Sequence, residues 1–437
     1  MKMIFDRPIT STRRSRQLRR FVRMASIVFL AGSIRGPVPN AAEHAIRPGE
    51  PPQSILDKAA PGDRIVFLPG LHQHGLGKHR SMLYVDKPVE IELKAQAVLK
   101  LAPNTTKIEH VGEITTDQDA GKKLDDLEIG GDFETAGPAV DGPEGYGATI
   151  YTIVIDGAGS GEKPDTIAWG DGRIFDTPHK NVPITGDWQE LSRGVKVRFR
   201  NRTGHSVKSL WFVSYDGPEA YGIRIGHGTH SKTIENVRIF GAGTIDMNAS
   251  NNAQPSGLVK NINACVLVHG RVRNLHIEGI TMTDTMRSVM VYGEHTGEML
   301  PGGKVGPGES FDVENVVVER TRTINPRGAG YLFGHPSHRG RILSVKCNHN
   351  DMETGMTAIE PNFNLDGYEV IGNVIKSDGQ AIHCWRHSKN GMIAENLRVF
   401  DVTGKPVVVV NSPRGWEPPE PPVLRNNRNH LSKPTGD

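Results

Sequence analysis

A short alternating pattern returns again and again between residues 274 and 413, and it decides what this chain can fold into. LSVKCN (343–348), YEVIGN (368–373) and GMIAEN (391–396) each run six residues and end on Asn, with the endings 25 and 23 residues apart. NVVVER (315–320) and NLHIEG (274–279) are earlier copies with longer insertions between them. A few polar residues after each copy, a second apolar segment follows: RSVMVYG, GAGYLFG, GMTAIE, QAIHCW and KPVVVV. A unit of roughly 23–28 residues with two or three short strands cannot bury its apolar face alone and must stack on its neighbours. Strand alternation at that repeat length predicts an all-β chain wound as a parallel β-helix, because propeller blades need longer units.

The N-terminus is of another kind. Arg13, Arg14, Arg16, Arg19, Arg20 and Arg23 precede the apolar MASIVFLAGSI and then the small, polar PNAAEHA. That order is the one expected of an export signal spanning residues 1–42, with cleavage near 41–45 and a mature chain that is periplasmic or extracellular. RRFVR resembles, imperfectly, a twin-arginine signal. Nine of the 52 Lys and Arg but only one of the 49 Asp and Glu fall in residues 1–42. The remainder therefore carries 43 basic and 48 acidic side chains, a net charge near −5, and no nucleic-acid footprint is expected. No apolar run beyond the signal approaches the roughly 20 residues of a membrane span. Cys265, Cys347 and Cys384 lie in strand-like segments without metal-ligand spacing and read as small buried hydrophobes.

Residues 46–73, IRPGEPPQSILDKAAPGDRIVFLPGLHQ, read as strand, short helix, Pro-Gly turn and strand. This resembles the opening of right-handed parallel β-helix proteins of the pectate-lyase-like superfamily, in which a short helix caps the first coil. A cap hides strand edges and apolar core that would otherwise invite end-to-end association. Residues 43–147 are assigned to this cap and the first coils, with a polar insertion from about 104. Residues 148–215 break the coil pattern with turn-rich alternation. Their PDT-x-x-W block (164–169), PITG turn (183–186) and TGH block (203–205) before Trp211 resemble a small β module found in bacterial surface and phage tail proteins. Trp169 and Trp211 are expected in its core. The main β-helix is placed at 216–425 and a disordered tail at 426–437.

GAGTIDMN (241–248) followed by NLHIEGITMTDTMRSVMVYG resembles coils of polygalacturonases. GHG (226–228) also occurs as a polygalacturonase motif, yet here it precedes GTIDMN, and the paired aspartates of that family's site have no match downstream. No catalytic residue is carried over, and His227 reads as a turn residue.

Period-two logic places a site instead. With Val289, Val291, Leu332, Ile359, Ile382 and Cys384 inward, the outward set is Met290, Tyr292 and Glu294, then Tyr331, Phe333 and His335, then Ala358, Glu360 and Asn362, then His383, Trp385 and His387. Stacked coils turn these residues into a ladder of rings, imidazoles and carboxylates on one face, suited to a sugar chain. His383, His387, Glu360 and Arg386 are the expected catalytic groups. Tyr292, Tyr331, Phe333, His335, Arg339, Asn362 and Trp385 are the expected substrate contacts. A uronate lyase or epimerase needs a cation, a base and a proton donor, which this face supplies more richly than paired carboxylates. Hydrolysis by a carboxylate pair, Glu360 with Glu294 or Asp351, and non-catalytic glycan binding are the alternatives. No cofactor is implied, and Ca²⁺ is left open because no Asp-rich loop occurs. Asn348, Asn373 and Asn396 are expected to stack as a ladder.

Overall fold

In the computed structural model of the protein, the described residues are 41–430 except 107–109, 117–123, 125, 132–149, 172–176, 192–193, 217–218, 253–262, 325, 327, 356, 378, 400–405, 413–415 and 417. The export segment expected at 1–42 therefore lies almost wholly outside them. No helix among the described residues is long and apolar enough to cross a membrane.

Three parallel sheets stack coil upon coil, the parallel β-helix that the repeat predicts. The first runs from Glu43–Ile46 through Ile342–Asn348, Leu365–Ile371 and Lys389–Ala394 to Val423–Arg425. The second runs from Gly70–His74 to Arg428–His430. The third, here the site sheet, takes in order Ser81–Val85, Tyr221–Gly228, Ala264–Gly270, Arg287–His295, Tyr331–Phe333, Ile359–Pro361, Ile382–Trp385 and Val408–Asn411. One continuous apolar core fills the space between them, and all three cysteines are buried thiols. The helix Pro52–Lys58 starts with Pro at its first turn and packs the fully buried Leu56 onto the first coil. Burying that side chain is worth about 1.5–3 kcal/mol, enough to hold a two-turn helix that could not form alone.

An inserted module interrupts the chain but not the stacking. Tyr221–Gly228 pairs in parallel with Ser81–Val85, so the coil resumes in register where it was left. The module's larger sheet is antiparallel and joins Ile150–Gly157, Thr166–Asp171, His179–Pro183 and Leu210–Asp216 to His110–Thr116. A smaller sheet joins Gln189–Glu190 and Val195–Phe199 to Leu127–Gly131. The polar stretch assigned to the first coils thus supplies two of the module's strands, and the module starts well before 148. Both strands are flanked by charged residues, which mask their alternation. The module has its own core, including Trp169 and Trp211. His205 of the TGH block is buried between Asp165 of the PDT block, 2.8 Å from Nδ1, and Asp126, 2.9 Å from Nε2. That contact joins the two motif blocks.

Two assignments at the far end change. Val423–Arg425 and Arg428–His430 pair with the preceding coil, so residues 426–430 belong to the β-helix and not to a tail. The Asn ladder consists of Asn350, Asn373, Asn396 and Asn427; the side-chain oxygens of the last three each accept from the backbone N–H and amide of the Asn one coil before, and that of Asn350 accepts from Thr321. Asn348 is not in it: the coil containing 343–348 is displaced by two residues, with Val345 rather than Leu343 opposite Tyr368.

Candidate functional site

The site sheet turns one row of side chains inward and the next outward. Val289 and Val291 are inward as expected, and their register partners are Tyr331 and Phe333. Both rings are therefore in the coil core, and Leu332 faces outward. Tyr331 Oη hydrogen-bonds Thr321 Oγ1 at 2.6 Å and Thr323 Oγ1 at 3.1 Å inside the coil, so its polar tip is satisfied without reaching the surface. Neither ring can touch a substrate. Tyr292 does face outward, but it is buried with Tyr221, Leu267, Met290 and Leu332 in an apolar layer on that face. It too is removed from the expected contacts.

Six of the other expected residues, Glu360, Asn362, His383, Trp385, Arg386 and His387, lie toward the last coils. Glu360 meets Arg287 at 3.5 Å. His383 Nε2 bonds Asn411 Oδ1 at 2.7 Å and its ring lies 4.1 Å from Trp385. Arg386 donates to Asn362 Oδ1 at 3.3 Å and its guanidinium stands between Trp385 and Trp416. Trp385 Nε1 and Arg386 Nε are buried donors without an acceptor among the described residues. His387 packs against Phe363 and Trp416, beneath Gly303 of the loop 297–310. It also lines two adjoining clefts. One, of about 410 Å³, includes His295, Lys304, Arg339 and Arg341. The other, of about 330 Å³, includes Asp366, Lys389 and Glu420.

A denser polar band crosses the earlier coils, at the C-terminal ends of the same strands. Glu294 Oε2 accepts from His269 Nε2 and from His338 Nδ1, each at 3.0 Å. Burial raises the Glu294 carboxyl, but the hydrogen bonds from both imidazoles outweigh it and hold it down to about 2. The His338 ring stacks on Tyr292 at 4.4 Å, with His335 beside both. Burial, reinforced by His338, Arg287 and Arg386, pushes His335 down to about 3, so the ring is neutral. Arg339, expected to hold substrate, donates to the carbonyl of Gly297.

Further along the band, Tyr84 Oη and His227 Nδ1 are 2.6 Å apart, and His79 stacks on His227 with centroids at 4.5 Å. His227 is exposed, while Tyr84 is buried beneath the turn that carries Lys78 and His79. Burial, with Asp86, pushes the Tyr84 phenol up to about 12. Burial, with His230 and Arg224 nearby, lowers His227. At neutral pH the pair is thus a protonated phenol against a neutral imidazole. The sequence alone reads His227 as a turn residue and marks neither Tyr84 nor His269. Their one available signal was a polar ring at the C-terminal end of consecutive strands of a single sheet, and it needs the coil register to be read.

No family model matches the sequence. No curated protein matches it either. Among solved structures, the family 28 exopolygalacturonase of Yersinia enterocolitica aligns with a TM-score of 0.46 and 13% identity over 90% of this chain and 59% of that one. The hyperthermoactive exopolygalacturonase of Thermotoga maritima gives 0.38 and 10% over 90% and 82%. The polygalacturonase of Erwinia carotovora ssp. carotovora gives 0.33 and 10% over 90% and 93%. The chain thus spans 59% of the length of the Yersinia enzyme. Likeness of this extent concerns the coiled fold, and the site's chemistry has to be read from this chain's own side chains.

Proposed function

We propose that this chain is an exported enzyme that cleaves a uronic-acid-containing polysaccharide laid across the site sheet. The observation that carries the reading is the Tyr84–His227 pair at one end of a band of basic and imidazole side chains. His227 offers an exposed imidazole, and the Tyr84 hydroxyl can donate to or accept from its Nδ1, so both neutral tautomers are supported. Such an imidazole can take a proton from a sugar carbon and return one to the departing glycosidic oxygen, the two transfers an elimination needs. Lys78, 5.0 Å from the Tyr84 ring, half exposed and 3.5 Å from Asp86, can exchange that surface partner for a uronate carboxylate. At the other end the donors of Trp385 and Arg386, beside His383, Glu360 and Asn362, suit the hydroxyl and carboxylate oxygens of further sugar units. His387 and Arg339, on the adjoining clefts, extend that binding end, with His335 bridging the two groups.

Hydrolysis is the second reading, and the neighbouring structures are named as polygalacturonases. It calls for an acid and a second carboxylate roughly 5–9.5 Å apart. Glu294 and Glu360 are two carboxylates on this face, Glu294 held ionised by its two imidazoles and Glu360 beside Arg287.

Incubation with polygalacturonate, alginate and a neutral glucan, following unsaturated-uronate absorbance and new reducing ends, separates the readings. Absorbance with reducing ends identifies elimination, and reducing ends alone identify hydrolysis. Neither signal on any acidic polymer, with binding retained, would replace the enzyme by a glycan-binding protein.

A further inference from the structure

Independently of that reaction, we propose that His269, Glu294 and His338 bind one divalent first-row transition metal ion with zinc's ligand preferences. Two imidazoles and one carboxylate, with a position left for water or another ligand, form a donor set that zinc uses and calcium does not. The ligand atoms of the three residues lie within 4.8 Å of one another. Both nitrogens converge on a single carboxylate oxygen, Oε2, at 3.0 Å, while Oε1 accepts from His295 N at 3.1 Å. A tetrahedral ion with bonds of about 2.0–2.1 Å holds its ligand atoms about 3.3 Å apart. The two close contacts therefore need to open by only a few tenths of an ångström.

The residues come from three coils and no local motif joins them. His269 and Glu294 sit near the ends of adjacent strands, Ala264–Gly270 and Arg287–His295. His338 arrives because Arg339–Gly340 turns back to pair antiparallel with Gly293 and Glu294. That approach depends on glycine on both sides. A Cβ at Gly340 would lie 2.2 Å from Glu294 N, and one at Gly293 would lie 2.6 Å from the Arg341 carbonyl.

One neighbour opposes the ion. Arg224 Nη2 stands 3.4 Å from His269 Nδ1, where a ligating histidine usually donates a proton to an acceptor. On loading, Nδ1 must carry the hydrogen, and the guanidinium must withdraw toward Glu219, 3.9 Å away. Replacing Arg224 with an acceptor should therefore tighten binding. The other grouping of similar donors, His276, Glu278 and Glu319, is already bound up with Arg238 and Arg320 and serves as the control.

The test is to strip the whole protein with a chelator, add ZnCl2, remove excess by gel filtration, and measure zinc per chain together with Tm. We expect one zinc per chain and a higher Tm. Both should be lost in His269→Ala and Glu294→Gln and kept in His276→Ala. Arg224→Gln should bind roughly tenfold more tightly. Cobalt(II) absorption on the unmodified protein gives a second readout that requires no variant to fold, and tetrahedral bands are expected. Absence of retained zinc and of such bands in the unmodified protein, or zinc retained in full by Glu294→Gln, would overturn the site.

Discussion

Asn350 gives Asn373 two hydrogen bonds, from its backbone N–H and from its side-chain amide, both 2.9 Å to the same oxygen. Asn373 in turn donates to the Cys347 carbonyl at 2.9 Å and to Asn396. A residue tied to three coils and wholly buried has no water to replace those partners. Asn373→Ala is expected to destabilise by about 1–3 kcal/mol, because buried donors and an acceptor are left unmet. Asn348→Ala, which removes a single contact to Ile371 N from a half-exposed side chain, should cost clearly less. Chemical denaturation of the two variants side by side checks the order.

Tyr331→Phe separates the core assignment from a substrate-binding one. The hydroxyl meets only Thr321 and Thr323 within the coil. Its loss should lower stability by about 1–2 kcal/mol by removing the acceptor of the buried Thr323, Thr321 keeping Asn350, with KM unchanged. A raised KM without a change in Tm would return the ring to the surface.

The two misplacements differ in kind. Repeats and strand alternation were enough for the β-helix, its cap and its stacking, because those depend only on where apolar residues recur. The Asn348 assignment slipped by two residues, which leaves every inward side chain inward, so no hydrophobic pattern could detect it. The Tyr331 assignment slipped by one, which swaps the faces. Leu332 has the look of a core residue, and only the threonines across the interior of the same coil make room for two rings and a hydroxyl instead. The polar band was harder still to see. Tyr84 and His227 are 143 residues apart in sequence, with the whole module between them. Of the expected site, the group from Glu360 to His387 does come together, but the pairing of Arg386 with Trp416 depended on a Pro-rich segment with no strand pattern.

His227→Ala should lower turnover by about 10²–10⁴-fold with Tm unchanged, the range that a positioned acid or base supplies. Tyr84→Phe keeps the ring and removes the hydroxyl that meets Nδ1, so a smaller loss and a shifted pH–rate profile are expected. If both variants cleave as the unmodified protein does, the chemistry belongs with His383 and His387 at the other end of the sheet.

The buried histidine of the inserted module makes the last prediction. Asp165 accepts from Gly159 N, His205 N and His205 Nδ1, and Asp126 accepts from His205 Nε2 and Asn201. Burial raises both carboxyls, and these hydrogen bonds outweigh it, leaving both below their ordinary value of 3.8. A carboxyl depressed in the folded state stabilises it fully above the unfolded pKa, and that contribution is lost as pH falls through the lower, folded value. The module should therefore hold at mildly acidic pH and give way below the ordinary carboxylate range. His205→Ala removes the shared partner and leaves two buried carboxylates facing each other's field, a loss of about 3–5 kcal/mol. Its loss of stability should be greatest near neutral pH and shrink as acid protonates the two carboxylates, with the module melting ahead of the coil. Trp211 reports this directly, since Phe199 lies edge-on to both it and His205 at 5.3 and 5.1 Å. A stability loss in His205→Ala that tryptophan fluorescence finds equal at neutral and at acid pH would show that the two aspartates do not depend on the ring between them.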